Sequence, residues 1–334
     1  MLKIWMVAPL ALLLCAAGDA KQQPSGDISI KGDEATLVHN GQRSELSLTF
    51  AEDFDSFSRF DGQNGFWRTT YWFDGSVGGR TMPLHGEVQL YVHPGDKGSS
   101  DAPLGIDPLP IRNGMLEITA DRVTPEQSKW LWNYKYTSGL ITTKDIFAQA
   151  YGYFEMRVKL PAGQGLWPAF WLAPQDYSWP PEIDVFETLG RQPSTVFFTV
   201  HINEGKTPED KTQIARTYEG LDTSKDFHIY GMSWSPETII YFIDRKEVAE
   251  IPTPKSVNKP MYVLANMALG GAWAGDPDET TPFPAKMIID YIHIYQFKGL
   301  PRPEPGVVRP ATYAAARAAP ESAAKSEPSP SAGR

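Results

Sequence analysis

From residue 46 to about residue 297 the chain repeats one pattern: short runs of Val, Ile, Tyr, Phe and Trp, each closed off by Gly, Pro, Asn or Asp. Residues 46–50, Leu-Ser-Leu-Thr-Phe, alternate apolar and polar, the period of a half-buried strand. Further runs at 86–92, 115–120, 151–160, 196–202, 227–234, 239–243, 261–267 and 287–297 predict strands, and no segment sustains a helical period. Such a series of short strands and turns predicts an all-β sandwich of two broad sheets. Residues 92–110, rich in Gly, Pro and Asp, are expected to form a long rim loop. Residues 21–45 are polar and weakly patterned, and read as a spacer with one short strand at 35–39. From 299 to 334 the composition turns to Pro, Ala, Ser and Glu, which bury too little apolar surface to order a chain, so a disordered tail is expected.

One run departs from the pattern. Glu182-Ile183-Asp184-Val185-Phe186-Glu187 sets three carboxyls into six residues of an otherwise apolar strand. Successive strand side chains point to opposite faces, so Glu182 and Asp184 share a face while Glu187 would turn away. A β-bulge at Val185–Phe186 would restore the parity and bring all three acids to one face. Crowded like charges add nothing to folding and shift proton affinities, which is what acid–base chemistry on a substrate needs. The large apolar residues between the acids argue against a solvated acidic face, and the run lacks the Asp/Asn/Gly spacing of a calcium loop.

Composition narrows the function. A chain of 334 residues, 41% hydrophobic, can build one β domain of roughly 200–250 residues with a real core. Ten Trp, 14 Tyr and 16 Phe favour strands, and also surfaces that stack on the flat apolar faces of sugars. A net charge of −9 with no run of Lys or Arg argues against nucleic acid, an anionic membrane surface and a strongly anionic polysaccharide. Lys3, the apolar run 4–14 and the small-residue region 15–20 read as an export signal over 1–20, too short for a membrane span. The expected location is therefore secreted or periplasmic. Cys15, the only cysteine, is expected to leave with the signal, so neither disulfide nor thiol nucleophile remains. Lipid anchoring at Cys15 is the alternative, and bulky Leu14 disfavours it.

The run 182–187 resembles E-x-D-x-x-E, the signature of glycoside hydrolase family 16, which includes laminarinases, lichenases, agarases and carrageenases. Four further blocks in order, at 151–157, 163–172, 226–230 and 290–295, together with Asn266 and 270–273, resemble the same family, so the likeness spans 46–298. It implies a concanavalin A-like jelly-roll sandwich of two curved antiparallel sheets, with a substrate cleft on the concave face. It also implies Glu182 as nucleophile, Glu187 as general acid/base and Asp184 tuning both, in a retaining double displacement. Trp167 and Trp171, four apart on one strand face, are implied as stacking platforms, with core packing as the alternative. Trp179, Trp273, His201, Arg157 and Glu87 match aromatic or polar cleft positions more loosely. Asp53 and Asp290 resemble the ligands of a structural calcium on the convex face, although Glu52-Asp53 reverses the usual acidic pair; the chemistry itself requires no cofactor. The extra residue in the signature resembles the laminarinase, agarase and carrageenase branches more than the E-x-D-x-E lichenases. The expectation is a monomeric endo-acting β-glycanase with β-1,3-glucan as its first substrate. A galactan or exopolysaccharide hydrolase, a transglycosylase, a lectin-like binding sandwich and a structural envelope protein stay open.

Overall fold

The computed structural model describes residues 26–71, 77–205, 207 and 210–300; the expected export signal and the tail from 301 onward lie outside them. The first part supplies β1 (Asp27–Lys31), β2 (Glu34–His39), β3 (Gln42–Glu52), β4 (Gln89–Tyr91), β5 (Ile111–Arg112), β6 (Met115–Arg122) and helix α1 (Pro125–Trp130). The middle supplies β7 (Tyr136–Ser138), β8 (Leu140–Thr142), β9 (Gly152–Lys159), β10 (Leu166–Pro174), β11 (Glu182–Thr188), β12 (Thr195–Asn203) and β13 (Lys211–Glu219). The last part adds β14 (His228–Trp234), β15 (Thr238–Ile243), β16 (Lys246–Pro252), β17 (Met261–Leu269), the single turn α2 (Gly271–Ala274) and β18 (Ala285–Phe297).

These strands form two sheets, as the alternation predicts. The smaller runs β13-β12-β11-β10-β17-β8, and the larger runs β3-β2-β1-β16-β15-β14-β9-β18-β6-β7-β4 with β5 on β6. Between them, Phe154, Met156 and Val158 of β9 meet Phe170 and Leu172 of β10 and Ile183, Val185 and Phe186 of β11. Strand β17 is buried on both faces: Val263, Ala265 and Met267 enter this core, while Tyr262 and Leu264 pack with Trp171 and Tyr91 on the other side. Full burial of one such side chain contributes about 1.5–3 kcal/mol, so the middle of the smaller sheet is firmly anchored. At its edge, β13 is mostly solvent-exposed and carries Lys211, Arg216 and Glu219, a composition that discourages further strand pairing. No helix among the described residues is long and apolar enough to cross a membrane.

The expected spacer needs correction. Residues 27–39 form two strands of the larger sheet, where one short strand at 35–39 was expected. Strand β3 pairs with both β2 and β18, and β1 meets β16, so the ladder β18-β3-β2-β1-β16-β15-β14-β9 returns to its start. A second core fills this closed run, with Ile28 and Leu37 against Tyr153, Ile240, Phe242 and Tyr295. The domain therefore begins at β1. Its first strand looked like part of a spacer because only Ile28 of its five residues is buried.

Candidate active site

Strand β11 carries the three acids at the middle of the smaller sheet. Opposite β12, Glu182 pairs with His201, Ile183 with Val200 and Asp184 with Thr199, but Glu187 pairs with Phe197. Three steps along β11 thus match two along β12, which is the predicted bulge. On the other side Asp184 faces Trp171, Phe186 faces Phe170 and Glu187 faces Ala169. Val185 and Phe186 both enter the core, fully buried, and the parity of Glu187 is restored to the face of Glu182 and Asp184.

Each glutamate is held by a different indole. Trp179 Nε1 donates to Glu182 Oε2 at 2.8 Å, and Trp167 Nε1 donates to Glu187 Oε1 at 2.9 Å. Asp184 is buried between them at 2% exposure, and His201 Nε2 lies 3.3 Å from its Oδ2 and 3.5 Å from Glu182 Oε1. Burial and the neighbouring Asp184 raise the pKa of both glutamates, Glu182 to about 8 and Glu187 well above the usual carboxylate range. Burial alone would lower that of His201, but Asp184 and the two glutamates outweigh it and push it up to about 9, so the imidazolium is the charged form at neutral pH. The cation sits beside Glu182 and Asp184. Glu187 has the neutral Trp167 indole for its direct partner.

The cleft is lined further by Trp273, which meets Trp167 edge to face at 5.1 Å and Phe197 at 5.0 Å. Trp273 stands on α2, whose carbonyls at Trp273 and Ala274 are gripped by Arg191. Beyond Glu182, Trp179 is 43% exposed, with Lys211 Nζ 4.6 Å from its ring centre. Sequence reasoning missed Phe197 and Lys211. Phe197 was findable as the cross-strand partner of Glu187, whereas nothing in the β13 pattern distinguishes Lys211.

Of the expected residues, Glu182, Asp184, Glu187, Trp167, Trp179, His201 and Trp273 converge. Trp171 does not serve as an open platform. It shares the cleft face, yet is 6% exposed, packed near Tyr71 and donating through Nε1 to Asn266, which in turn donates to Tyr91. Glu87 is likewise sunk in the wall, where its carboxylate accepts from the Met82 amide and Gln89. Arg157 lies on the other sheet: Phe154, Met156 and Val158 of its strand point into the core, so Arg157 points outward, pairing with Asp290 and covering Phe227.

That pairing also bears on calcium. Asp290 is engaged by Arg157, and Asp53 by His293 at 2.8 Å, so each proposed ligand is already compensated by a protein cation or potential cation. Among the described residues neither aspartate joins a cluster of three side-chain ligands. As they stand, these residues do not fit a calcium ion.

A β-sandwich with hydrogen-bonded carboxyls and indoles on one sheet face fits a carbohydrate-processing enzyme. The chain belongs to glycosyl hydrolases family 16, whose profile matches residues 111–293. It is 40% identical over 253 residues to the endo-1,3-1,4-beta-glycanase ExsH of Rhizobium meliloti (strain 1021), covering 76% of this chain and 52% of that protein. The chain thus spans about half the length of this relative. A beta-glucanase of Rhodothermus marinus is 33% identical over 209 residues, covering 56% of this chain and 70% of that one. Among solved structures, the catalytic domain of an endo-1,3-beta-glucanase (laminarinase) from Thermotoga petrophila RKU-1 superposes with a TM-score of 0.61 at 30% identity, covering 77% of this chain and all of that one.

Proposed function

We propose that this protein is an endo-acting hydrolase of β-1,3-linked glucans, including mixed 1,3-1,4 chains, that works by retaining double displacement outside the cytoplasm. The observation that carries this reading is the separate tethering of Glu182 and Glu187 by two indoles on one strand face, with a cation beside the first only. The beta-glycanase and laminarinase activities for which these relatives are named support the substrate class.

In the first step the Glu182 carboxylate attacks the anomeric carbon while Glu187 gives its proton to the departing glycosidic oxygen. The His201 imidazolium and the Trp179 indole favour the ionised form of Glu182 against burial and Asp184. The released sugar leaves with the proton, and Glu187, now a carboxylate, takes a proton from water as that water attacks the glycosyl ester. Glu182 is regenerated and Glu187 is protonated again, so the cycle balances.

The test is release of reducing ends from laminarin and from mixed-linked β-glucan. Viscosity should fall early, as internal bonds are cut. Glu182→Gln should lose at least about a thousandfold in kcat while still binding the glucan, since the first covalent step is gone. Equal activity in that variant would sink the assignment.

A further inference from the structure

A second group of metal-binding side chains lies on the larger sheet, apart from the three acids. His39 ends β2, and Glu247 and Glu250 belong to β16. Three positions apart in a regular strand, the two glutamates would face opposite ways. Strand β16 corrects this with an extra residue: Phe242 pairs with Glu247 and Tyr241 with Ala249, so one step along β15 spans two along β16. Glu250 pairs with Ile240, and Ile240 and Phe242 both enter the second core, so both glutamates turn to that face.

Strand β1 runs between β2 and β16. Asp27 stands opposite both Val38 and Lys246, which puts Gly26 between His39 and Glu247. A Cβ at Gly26 would lie 2.3 Å from Glu247 Oε2, so the missing side chain is what leaves the row open. Across this notch His39 Nε2 comes to 3.6 Å from Glu247 Oε2 and 3.5 Å from Glu250 Oε2. One donor atom of each residue lies within 4.8 Å of the other two.

We propose that His39, Glu247 and Glu250 bind a divalent cation of the zinc type. Ligand atoms bonded to a tetrahedral zinc at about 2.0–2.2 Å stand about 3.3–3.6 Å apart, the spacing that the imidazole nitrogen keeps from each carboxylate. Two carboxylates converging on one imidazole carry more negative charge than a single imidazolium offsets, whereas a divalent cation balances them. The nitrogen donor selects zinc over calcium, which takes oxygen ligands. The side chains of His39 and Glu247 are 17% and 8% exposed and hold the floor of the site, while Glu250 at 40% leaves the entrance open. The Asn40 amide nitrogen, 3.2 Å from His39 Nε2, is the contact that the metal replaces. Strands β1 and β16 share only the pair Asp27–Lys246, so a metal joining β2 to β16 staples the ladder where it closes on itself. Bond cleavage uses none of these residues, and the inference stands independently of the glucanase reading.

The test titrates zinc chloride into the full chain, stripped of metal with EDTA and dialysed, and follows binding by calorimetry. Glu182, Asp184 and His201 form another set of three donors, so the titration is made in Glu182→Gln, which breaks that set. One zinc per chain should bind, and the melting midpoint should rise with zinc but not with calcium chloride. Adding Glu250→Gln or His39→Gln should weaken zinc binding at least about a hundredfold, more than the loss of a ligand's outer partner costs. Gly26→Ala, which displaces the Glu247 carboxylate, should weaken it as well. Glu250 is exposed, so its variant folds and decides the matter if the others melt early. Absence of saturable zinc binding, undiminished affinity in Glu250→Gln, or an equal response to calcium overturns the proposal.

Discussion

Glu182 stands opposite His201 in the β11–β12 ladder, and their side chains approach to 3.5 Å. The backbone register thus sets a cation against the proposed nucleophile. Replacing His201 by Gln removes it, so the Glu182 pKa should rise and the acid limb of the kcat/KM profile should move to higher pH. A shift of one pH unit would correspond to about tenfold less activity on that limb. Stability should change in step. With a folded pKa of about 9 against an ordinary 6.5, His201 contributes stability that is fully present below about pH 6.5 and lost as pH rises through about 9. The melting deficit of the variant should therefore be largest in acid and fade in alkali.

Glu187 gives the opposite outcome for stability. Its raised pKa means that ionising it costs more in the folded than in the unfolded protein, and the cost sets in above the ordinary value of about 4.5. Glu187→Gln cannot ionise, and its amide oxygen can still accept from Trp167. The melting midpoint of Glu187→Gln relative to wild type should climb as pH is raised from about 4.5, while activity is lost at every pH. Calorimetry across that range would expose the error if the difference were flat.

The Trp179 indole can be separated from its ring. Trp179→Phe keeps an aromatic surface beneath Lys211 but deletes the donor to Glu182. A hydrogen bond to a charged group is worth about 1.5–3 kcal/mol, so kcat/KM should fall roughly 10- to 100-fold. The residue is 43% exposed and Phe keeps most of its ring contacts, so the melting midpoint should hardly move. Kinetics alongside thermal melts check both parts.

The N-terminal hairpin is expected to matter as much as any core strand. Leu37 is 6% exposed within the second core. Leu37→Ala should cost about 2–5 kcal/mol in denaturant unfolding, far beyond the effect of trimming a spacer.

Parity made the sandwich and the common face of the three acids legible before any coordinates. Whatever is set by distant residues was not. Trp171 has the parity of Trp167, but Tyr71, a hundred residues upstream, packs close to it, and no local pattern announces that neighbour. Arg157 lies in a block resembling the family, yet the alternation of Phe154, Met156 and Val158 turns it outward on the opposite sheet. Of the N-terminal hairpin only the second strand was expected: β1 is five residues long and buries Ile28 alone, which does not rise above a loop.

The bulge has a mechanical side as well. Phe186, pushed inward beside Glu187, rests 4.6 Å from the ring of Tyr230 on β14 of the larger sheet. Glu187, the proposed proton donor, is thereby braced against the far wall of the sandwich through its own neighbour in the chain. A slackening between the two sheets that loosens this contact would be expected to disturb Glu187 while the strands persist, so on heating activity should fall at temperatures where the circular dichroism is still that of the native protein.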